Sequence, residues 1–267
     1  MNVARALESL GVPTVSLLPL GGAAGWWMLA ELGALELAVA RIEVSGETRT
    51  TITVTDDMTH PTVFAESGPT VSPIEWGLLM KELLRLLPGA SLLVISGSMP
   101  PDADSALMES RVKAARDADV RVLVDATEEV LVAAARAGAD ILKPNLGELL
   151  EATGQPAAEG GVRMLLDLGA KLVVVSRGSE RITAYDGHGI YAVAAVPGIS
   201  GNPTGAGDVA TAALAAALID GRPLHEALRW ATALGAAAVL RPVAGEVDLE
   251  ALTRFLHPST IDDGAEP

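Results

Sequence analysis

Residues 202–214 are the segment best suited to phosphoryl chemistry. They read NPTGAGDVATAAL and place two glycines and a carboxylate where a helix of small residues should begin. The unpaired amides and the positive dipole end of a helix attract anions, and Gly205 and Gly207 let those amides approach a phosphate closely. Asp208, in the first turn, could take the proton from an attacking hydroxyl. The pattern favours transfer of a phosphate to a hydroxyl group.

Two other interpretations of this segment remain open from the residues alone. The first is a plain helix after a loop, in which Asp208 only stabilises the helix N-terminus. The second takes Gly205, Gly207 and Ala210 as a dinucleotide-binding fingerprint. That fingerprint needs a strand directly before it and another after the helix, whereas only helices are predicted after residue 207. The order of elements therefore argues against a nicotinamide-dependent dehydrogenase.

A second group of candidate residues follows a short predicted strand at 139–143. Lys143 stands at the end of this strand and can reach phosphate groups. Asn145 and Glu148 supply oxygen ligands three residues apart at a helix start, which suits Mg²⁺ held through water. The alternative is a simple strand–turn–helix connection with Glu148 in solvent.

The elements that must position these residues alternate between strands and helices after Pro73. Apolar strands at 91–96, 120–125, 139–143 and 172–176 are separated by helical patterns, which predicts a parallel sheet covered on both faces. A hairpin at 182–185 and 190–196 follows, and then helices at 207–220, 224–240 and 249–256. This pattern is typical of an α/β domain.

The elements before Pro73 follow a different pattern. A helix is predicted at 2–10 with Asn2 as a candidate N-cap, then a strand at 14–20 and a helix at 25–35. Three short strands at 37–44, 49–55 and 62–66 have no helices between them, which predicts a small antiparallel sheet. We expect one α/β domain over residues 1–257, with this small sheet as a lid at 37–66. Residues 258–267 are expected to be a disordered tail.

Composition and charge exclude several classes of function. The 267 residues carry 19 basic and 34 acidic side chains, and the formal charge of −15 argues against binding nucleic acid or an anionic membrane. Because cysteine is absent, disulfides, thiolate nucleophiles and cysteine-ligated metal sites are excluded. No apolar run is long enough to cross a bilayer, and the first residues do not resemble a signal peptide. We therefore expect a cytoplasmic protein.

A series of strings in the sequence resembles the ribokinase-like (PfkB-type) carbohydrate kinases in order and spacing. They are NVARALESLGVP, LPLGGAAG, GETRT, ISGSMPP, VLVDAT, KPNLGELL, VVVSRGSE and the signature at 202–215. The resemblance covers nearly the whole chain. It points to the phosphosugar branch, which contains 1-phosphofructokinase, 6-phosphofructokinase of this type and tagatose-6-phosphate kinase. It implies a three-layer α/β/α fold with a mostly parallel central sheet and a small β lid.

The resemblance also implies a role for each matching residue, with ATP and Mg²⁺ bound. Asp208 is implied as the catalytic base, beside an anion hole made by Gly205, Ala206 and Gly207. The implied nucleotide-binding residues are Lys143, Asn145, Ser176 and Gly178. The implied magnesium ligands are Asn145 and Glu148. The implied sugar-phosphate residues are Asn2, Gly21, Gly22, Arg49 and Ser98.

Each polar residue implied in binding the sugar phosphate could instead have a purely structural role. The fork of an arginine suits a phosphate, but Arg49 could equally be a surface strand residue. Ser98 could be a turn residue before two prolines, and Asn2 could be a plain N-cap. One residue departs from the family pattern, because Arg181 stands where the nucleotide loop usually has a second glycine.

The resemblance leaves one part of the pattern unmatched. In the family, a first strand with a sugar-binding aspartate and a glycine-rich loop precede the asparagine that Asn2 matches, whereas Met1 stands directly before it. We therefore expect exposed sheet edges. The main hypothesis is an ATP-dependent kinase acting on a ketohexose phosphate, and the alternative is a catalytically impaired or ligand-binding protein of the same fold. A homodimer through the lid is a further expectation.

Overall fold

The computed structural model describes residues 1–54, 62–101 and 103–256. A short 3₁₀ turn lies at Leu87–Gly89. The helices predicted at 2–10, 25–35, 207–220, 224–240 and 249–256 form within about three residues of those bounds, and the helical patterns predicted between the strands after Pro73 also form helices. They are α1 (Asn2–Ser9), α2 (Gly22–Ala34), α3 (Pro73–Leu86), α4 (Ser105–Asp117), α5 (Glu128–Arg136), α6 (Leu146–Thr153), α7 (Ala158–Leu168), α8 (Ala206–Ile219), α9 (Leu224–Val239) and α10 (Leu249–Phe255).

The strands form one large sheet and two pairs. They are β1 (Val15–Leu20), β2 (Ala38–Glu43), β3 (Thr51–Val54), β4 (Thr62–Ala65), β5 (Leu92–Ser96), β6 (Arg121–Asp125), β7 (Ile141–Leu142), β8 (Leu172–Ser176), β9 (Arg181–Tyr185) and β10 (Ile190–Ala194). The large sheet has the order β10–β9–β8–β7–β6–β5. Strands β5 to β8 are parallel, and the β9–β10 hairpin adds two antiparallel strands. This confirms the predicted mostly parallel sheet.

Helices cover both faces of the large sheet. Helices α1, α8, α9 and α10 share one apolar cluster with one side of the strands, and α4 to α7 share another cluster with the opposite side. Neighbouring residues of β8 divide between the two, since Val174 belongs to the first cluster and Val173 and Val175 to the second. Alanines on α8 and α9 dominate the first cluster, and small side chains let helices and sheet approach closely. The three-layer α/β/α architecture is confirmed.

The predicted strand at 37–44 forms, but its pairing differs from the prediction. β2 pairs in parallel with β1, with Val15 opposite Ala38. Helix α2 connects the two strands and returns the chain to the same end of the pair, which is what a parallel connection requires. The prediction that this strand joins an antiparallel sheet is therefore wrong. Among the described residues, β1 and β5 each pair along one side only.

Strands β3 and β4 form the antiparallel part of the expected lid. Ile52 lies opposite Phe64, and these side chains are 58% and 61% exposed. A two-stranded ribbon has no core of its own, so this ribbon depends on other contacts for stability. The rest of the expected lid, at residues 55–61, lies outside the described residues, and so does the predicted tail at 258–267.

Within the described ranges, no helix combines the length and the apolar character needed to cross a membrane.

Candidate active site

Consecutive parallel strands place polar residues at one edge of the large sheet. They are Ser96 at the end of β5, Asp125 at the end of β6, Lys143 after β7 and Ser176 at the end of β8. The carboxyl ends of parallel strands meet at the same edge, which is the usual ligand-binding edge of an open α/β sheet. A hydrogen bond connects the end of β8 to the segment after β7, because the Ser176 amide donates to the Pro144 carbonyl at 3.1 Å.

Helix α8 begins with the glycine-rich loop at this edge. Gly205 precedes the helix with φ +81°, in the left-handed region that favours glycine. A Cβ atom there would lie 2.9 Å from the Cβ of Ala244, whereas a Cβ on Gly207 would meet no atom within 4 Å. No described side chain caps α8, although the Ala206 amide already donates to the Pro203 carbonyl at 3.1 Å. This arrangement suits an anion.

Two side chains from distant parts of the chain hold the Asp208 carboxylate. Asn2 Nδ2 donates to Oδ2 at 2.7 Å, and Ser96 Oγ donates to Oδ1 at 3.2 Å. Asn2 is therefore not an N-cap: Met1 occupies the cap position of α1, and no side chain caps that helix. The prediction of an N-cap is wrong because the amide binds Asp208 instead. Burial lowers the pKa of the Met1 amino group, and the charge of Asp208 opposes this.

A buried chain of polar contacts lies beside Asp208. Lys143 is only 3% exposed, and its Nζ lies 3.2 Å from Asp125 Oδ2. The fully buried Thr211 donates its hydroxyl to the same oxygen at 2.5 Å, and this hydroxyl also lies 3.0 Å from the Gly207 carbonyl. The ammonium carries three donors, so Asp125 leaves some of them for a phosphate.

Asn145 and Glu148 form a reciprocal cap at the start of α6. Asn145 Oδ1 accepts from the Glu148 amide at 2.9 Å, and Glu148 Oε2 accepts from the Asn145 amide at 2.8 Å. The cap fixes both side chains at the sheet edge. Burial raises the pKa of Glu148 and the charge of Asp125 adds to the rise, while the Asn145 hydrogen bond and the charge of Lys143 oppose it.

The side-chain oxygens of Asn145 and Glu148 fit part of the coordination shell of a magnesium ion. The second carboxylate oxygen of Glu148 has no role in the cap, and a cation would offset the burial and the like charge that raise its pKa. The described residues contain no cluster of three or more histidine, aspartate or glutamate side chains that could hold a metal ion. Mg²⁺ typically keeps water and substrate phosphates as its other ligands, so one carboxylate is a sufficient protein contribution.

The predicted nucleotide loop follows β8. Ser176 bridges in parallel to Asn145, which places it beside the α6 cap. Gly178 has φ +53°, and the amide of Arg177 donates to the carbonyl of Arg181 to close the turn. Arg181 already belongs to β9. An arginine is therefore tolerated where the family has a second glycine, because Gly178 supplies the positive φ of this turn.

Gly21 and Gly22 pack against the GETRT segment. The Gly21 amide donates to Thr48 Oγ1 at 3.0 Å, and the Ala24 amide donates to Glu47 Oε1 at 2.6 Å. A Cβ atom on Gly21 would collide with the backbone carbonyl oxygens of Val44 and Gly46, and Gly22 has φ +65°. Backbone geometry therefore requires both glycines here, and the two hydrogen bonds fix the start of α2 beside the residues that precede β3.

Arg49 and Ser98 make no hydrogen bond or ion pair to another described residue. Arg49 is exposed and lies before β3, which begins at Thr51, so the prediction that it sits on a strand is wrong. Its side chain lies near Gly68, which follows β4: a Cβ atom on that glycine would be 3.4 Å from Arg49 Cδ. Ser98 is exposed two residues beyond Ser96. Both are accessible to a ligand.

Sequence reasoning missed three residues of this cluster: Ser96, Asp125 and Thr211. Each belongs to a string that matched the family, namely ISGSMPP, VLVDAT and the signature at 202–215. Two of them end parallel strands, and this position was a usable signal because polar residues at strand ends converge on the ligand-binding edge. Thr211 carried no such signal, since a threonine inside a helix often only binds its own backbone.

A scan against family models matches residues 1–251 to the pfkB family of carbohydrate kinases. The chain belongs to the pfkB family of carbohydrate kinases. Membership confirms the predicted phosphotransferase class that acts on an alcohol group. ATP-dependent 6-phosphofructokinase isozyme 2 from Escherichia coli is 31% identical over 248 residues, which cover 90% of this chain and 80% of that protein.

Solved structures of family members share the fold. Phosphofructokinase-2 from Escherichia coli in complex with fructose-6-phosphate has a TM-score of 0.84 at 30% identity, covering 96% of this chain and 84% of that one. The same protein has a tetrameric inhibited form, with a TM-score of 0.86 at 29% identity, 96% and 84% coverage. A Thermotoga maritima protein described as a possible 1-phosphofructokinase has a TM-score of 0.87 at 24% identity, with 98% and 85% coverage. This last likeness concerns the fold.

Proposed function

We propose that this chain is an ATP-dependent kinase that phosphorylates a hydroxyl of a ketohexose phosphate: fructose 1-phosphate, fructose 6-phosphate or tagatose 6-phosphate. The observation that carries the proposal is the position of Asp208, in the first turn of an uncapped helix, with its two oxygens bound by Asn2 and Ser96. A carboxylate so placed can accept a proton while the adjacent amides receive negative charge.

Each group of residues has one task in the proposed reaction. Asp208 takes the proton of the substrate hydroxyl, whose oxygen then attacks the γ-phosphorus as the bond to ADP breaks. The amides of Gly205 and Gly207, and that of Ala206 once it releases the Pro203 carbonyl, receive the charge that develops on the transferred group. Lys143 donates to the nucleotide phosphates, and Ser176 and Gly178 border the nucleotide.

Magnesium and the sugar phosphate complete the proposed site. Mg²⁺, held by Glu148 and Asn145 together with nucleotide phosphates, supplies charge neutralisation when bound. Arg49 and Ser98 donate to the substrate phosphate, and their exposure and lack of described partners support this role. Asn2, Gly21 and Gly22 border the sugar. Since Asn2 Nδ2 binds Asp208, it can orient the base while its carbonyl oxygen accepts from a sugar hydroxyl.

The test is ADP release by the purified chain with Mg²⁺ and ATP and each of the three phosphosugars in turn. Turnover that depends on one phosphosugar supports the proposal and identifies its substrate. Binding of ATP with no turnover on any of the three favours the alternative, a ligand-binding protein of the same fold. Free fructose and ribose serve as controls, because a site that binds the phosphate through Arg49 should reject sugars without one.

Assembly through the ribbon is a further part of the proposal. The exposed apolar side chains of Ile52 and Phe64 support contact between two copies, since exposed apolar patches mark protein interfaces. Size-exclusion chromatography with light scattering measures the mass of the assembly in solution. A dimer that dissociates on Phe64→Ser supports the ribbon contact, whereas a monomer, or a tetramer unaffected by the change, contradicts it.

A further inference from the structure

The contacts around Thr211 join the nucleotide side of the proposed site to the helix that carries its base. They run from Lys143 Nζ to Asp125 Oδ2 at 3.2 Å, and from this oxygen to Thr211 Oγ1 at 2.5 Å. The same hydroxyl lies 3.0 Å from the carbonyl of Gly207. This carbonyl belongs to the peptide whose amide is that of Asp208. One threonine hydroxyl therefore touches both the partner of Lys143 and the anion-binding loop.

We propose that Thr211 and Asp125 are positioning residues, which hold the Lys143 ammonium at a fixed place relative to the first turn of α8. The inference rests on the proposed kinase function and goes beyond it, because neither residue is expected to touch a substrate. A flexible four-carbon lysine needs such restraint to contribute fully at one phosphate.

Burial explains why Asp125 and Thr211 are the residues that position the Lys143 ammonium. Lys143 is 3% exposed, and burying an ammonium is costly unless an opposite charge lies beside it. Asp125 provides the opposite charge. If Lys143 were its only partner, however, the Asp125 carboxylate could turn together with the lysine, and the pair would not be fixed. The hydroxyl of Thr211 is fixed to the helix backbone by a short side chain, and its hydrogen bond to a carboxylate is of the stronger, charge-assisted kind. It therefore anchors the pair to α8.

A threonine on the neighbouring helix shows that this contact is not a general requirement of helix packing. Thr232 on α9 is only partly buried, but its hydroxyl is buried and has no hydrogen-bond partner among the described residues. The Thr232 hydroxyl thus contacts no described polar group, whereas the Thr211 hydroxyl lies against Asp125. Thr232 also provides a control, because Thr232→Val removes the same atom from a helix of the same layer without removing a described hydrogen bond.

The first experiment compares Thr211→Val, Thr211→Ser and Thr232→Val in steady-state kinetics. Thr211→Val keeps the side-chain shape and should lower kcat roughly tenfold and raise KM for ATP, with KM for the phosphosugar unchanged, because a hydrogen bond to a charged group is lost. Thr211→Ser retains the hydroxyl and should restore most of kcat. Thr232→Val should behave as the wild-type chain. Equal kinetics of Thr211→Val and Thr232→Val would overturn the proposal.

The second experiment tests whether Thr211 acts through Lys143. In a Lys143→Met background there is no ammonium to position, so adding Thr211→Val should change kcat less than twofold. Independent effects that multiply in the double variant would contradict a positioning role. If Thr211→Val does not fold, Asp125→Asn takes its place in both experiments, since it keeps an acceptor for Thr211 and removes the charge that holds Lys143.

Nucleotide binding separates the failure of this inference from that of the proposed function. Calorimetry with a non-hydrolysable ATP analogue and Mg²⁺ should show roughly tenfold weaker binding to Thr211→Val than to Thr232→Val, even if no phosphosugar turns over. Weaker binding without turnover supports the positioning role and rejects the kinase proposal. Turnover with unchanged binding and kcat rejects only the positioning role, and a wild-type chain that does not bind the analogue rejects both.

Discussion

The two sides of the proposed site are built differently. On the nucleotide side, Lys143 and Thr211 are buried, and Asp125 connects them at a sheet edge enclosed by two helical layers. On the sugar-phosphate side, Arg49 is exposed and has no ion-pair partner among the described residues, and the ribbon β3–β4 beside it exposes its apolar side chains. The nucleotide side is part of the core, whereas the ribbon on the sugar-phosphate side is connected to the core by the short segments before β3 and after β4.

This difference separates two kinds of requirement. Phosphoryl transfer needs donors and a base that do not reorganise during the reaction, and a packed core provides this fixed geometry. Selection of one phosphosugar requires shape and charge that can vary without disturbing the core, and exposed loops tolerate such variation. Changes on the nucleotide side should therefore affect kcat and stability, and changes on the sugar side should affect mainly KM for the sugar phosphate.

The largest expected effect is that of Asp208→Asn, which keeps the side-chain size and an acceptor for Asn2. We expect kcat to fall at least about a thousandfold, because the base for the substrate hydroxyl is lost. The measurement is ADP release at saturating ATP and phosphosugar, with thermal unfolding as the check on folding. A kcat within tenfold of the wild-type value would show that Asp208 is not the base.

Arg49→Ala should have the next largest effect, confined to the sugar side. KM for the phosphosugar should rise roughly 100-fold because charge-assisted hydrogen bonds to its phosphate are lost, while KM for ATP and the melting temperature stay unchanged. Arg85→Ala is the control: this arginine is also exposed, but it pairs with Glu82 on α3. If Arg49→Ala raised both KM values equally, the proposed separation of the two sides would be wrong.

Gly205→Ala should reduce stability, and Gly207→Ala should not. At Gly205 the positive φ and the nearby Cβ of Ala244 should lower the free energy of unfolding by about 2 kcal/mol. At Gly207 the added Cβ meets no described atom and lies within a helix, so stability should rise by about 0.5–1 kcal/mol. Denaturant unfolding measures both. Activity should fall in each case, because both glycines belong to the anion-binding loop.

The smallest expected effect concerns Glu148 and pH. Its pKa is raised by burial, so its protonated form is favoured in the folded chain. The stability that this confers is complete below the unfolded pKa, near 4.5, and is lost as pH rises through the folded pKa. Glu148→Gln does not titrate and should therefore be more stable than the wild type near neutral pH, with a flatter dependence on pH.

The same variant should need more Mg²⁺ for half-maximal activity, since a carboxylate ligand is lost. Thermal unfolding from pH 4 to 8 and a magnesium titration test the two statements separately. A Glu148→Gln chain that is less stable at neutral pH would show that its charge at the helix N-terminus outweighs the cost of burial.

Local patterns predicted most of the fold. The strand β8 at Leu172–Ser176 was predicted with its observed bounds, because apolar runs and turn residues act within a few positions. The pairing of β2 was not predictable in this way. Parallel and antiparallel strands have similar composition, and the choice depended on the path of α2 between β1 and β2.

The same distinction between local patterns and tertiary contacts holds for the candidate site. By itself, the sequence determined which residues could perform the chemistry, because the GAGD loop, the KPNxxE string and the family order are all readable from residue types and spacing. Only the tertiary structure decided which partners those residues have. Asn2 and Ser96 meet Asp208, and Asp125 meets Lys143, across separations that no local pattern encodes. Such contacts arise because packing of helices on a parallel sheet brings distant strand ends to one edge.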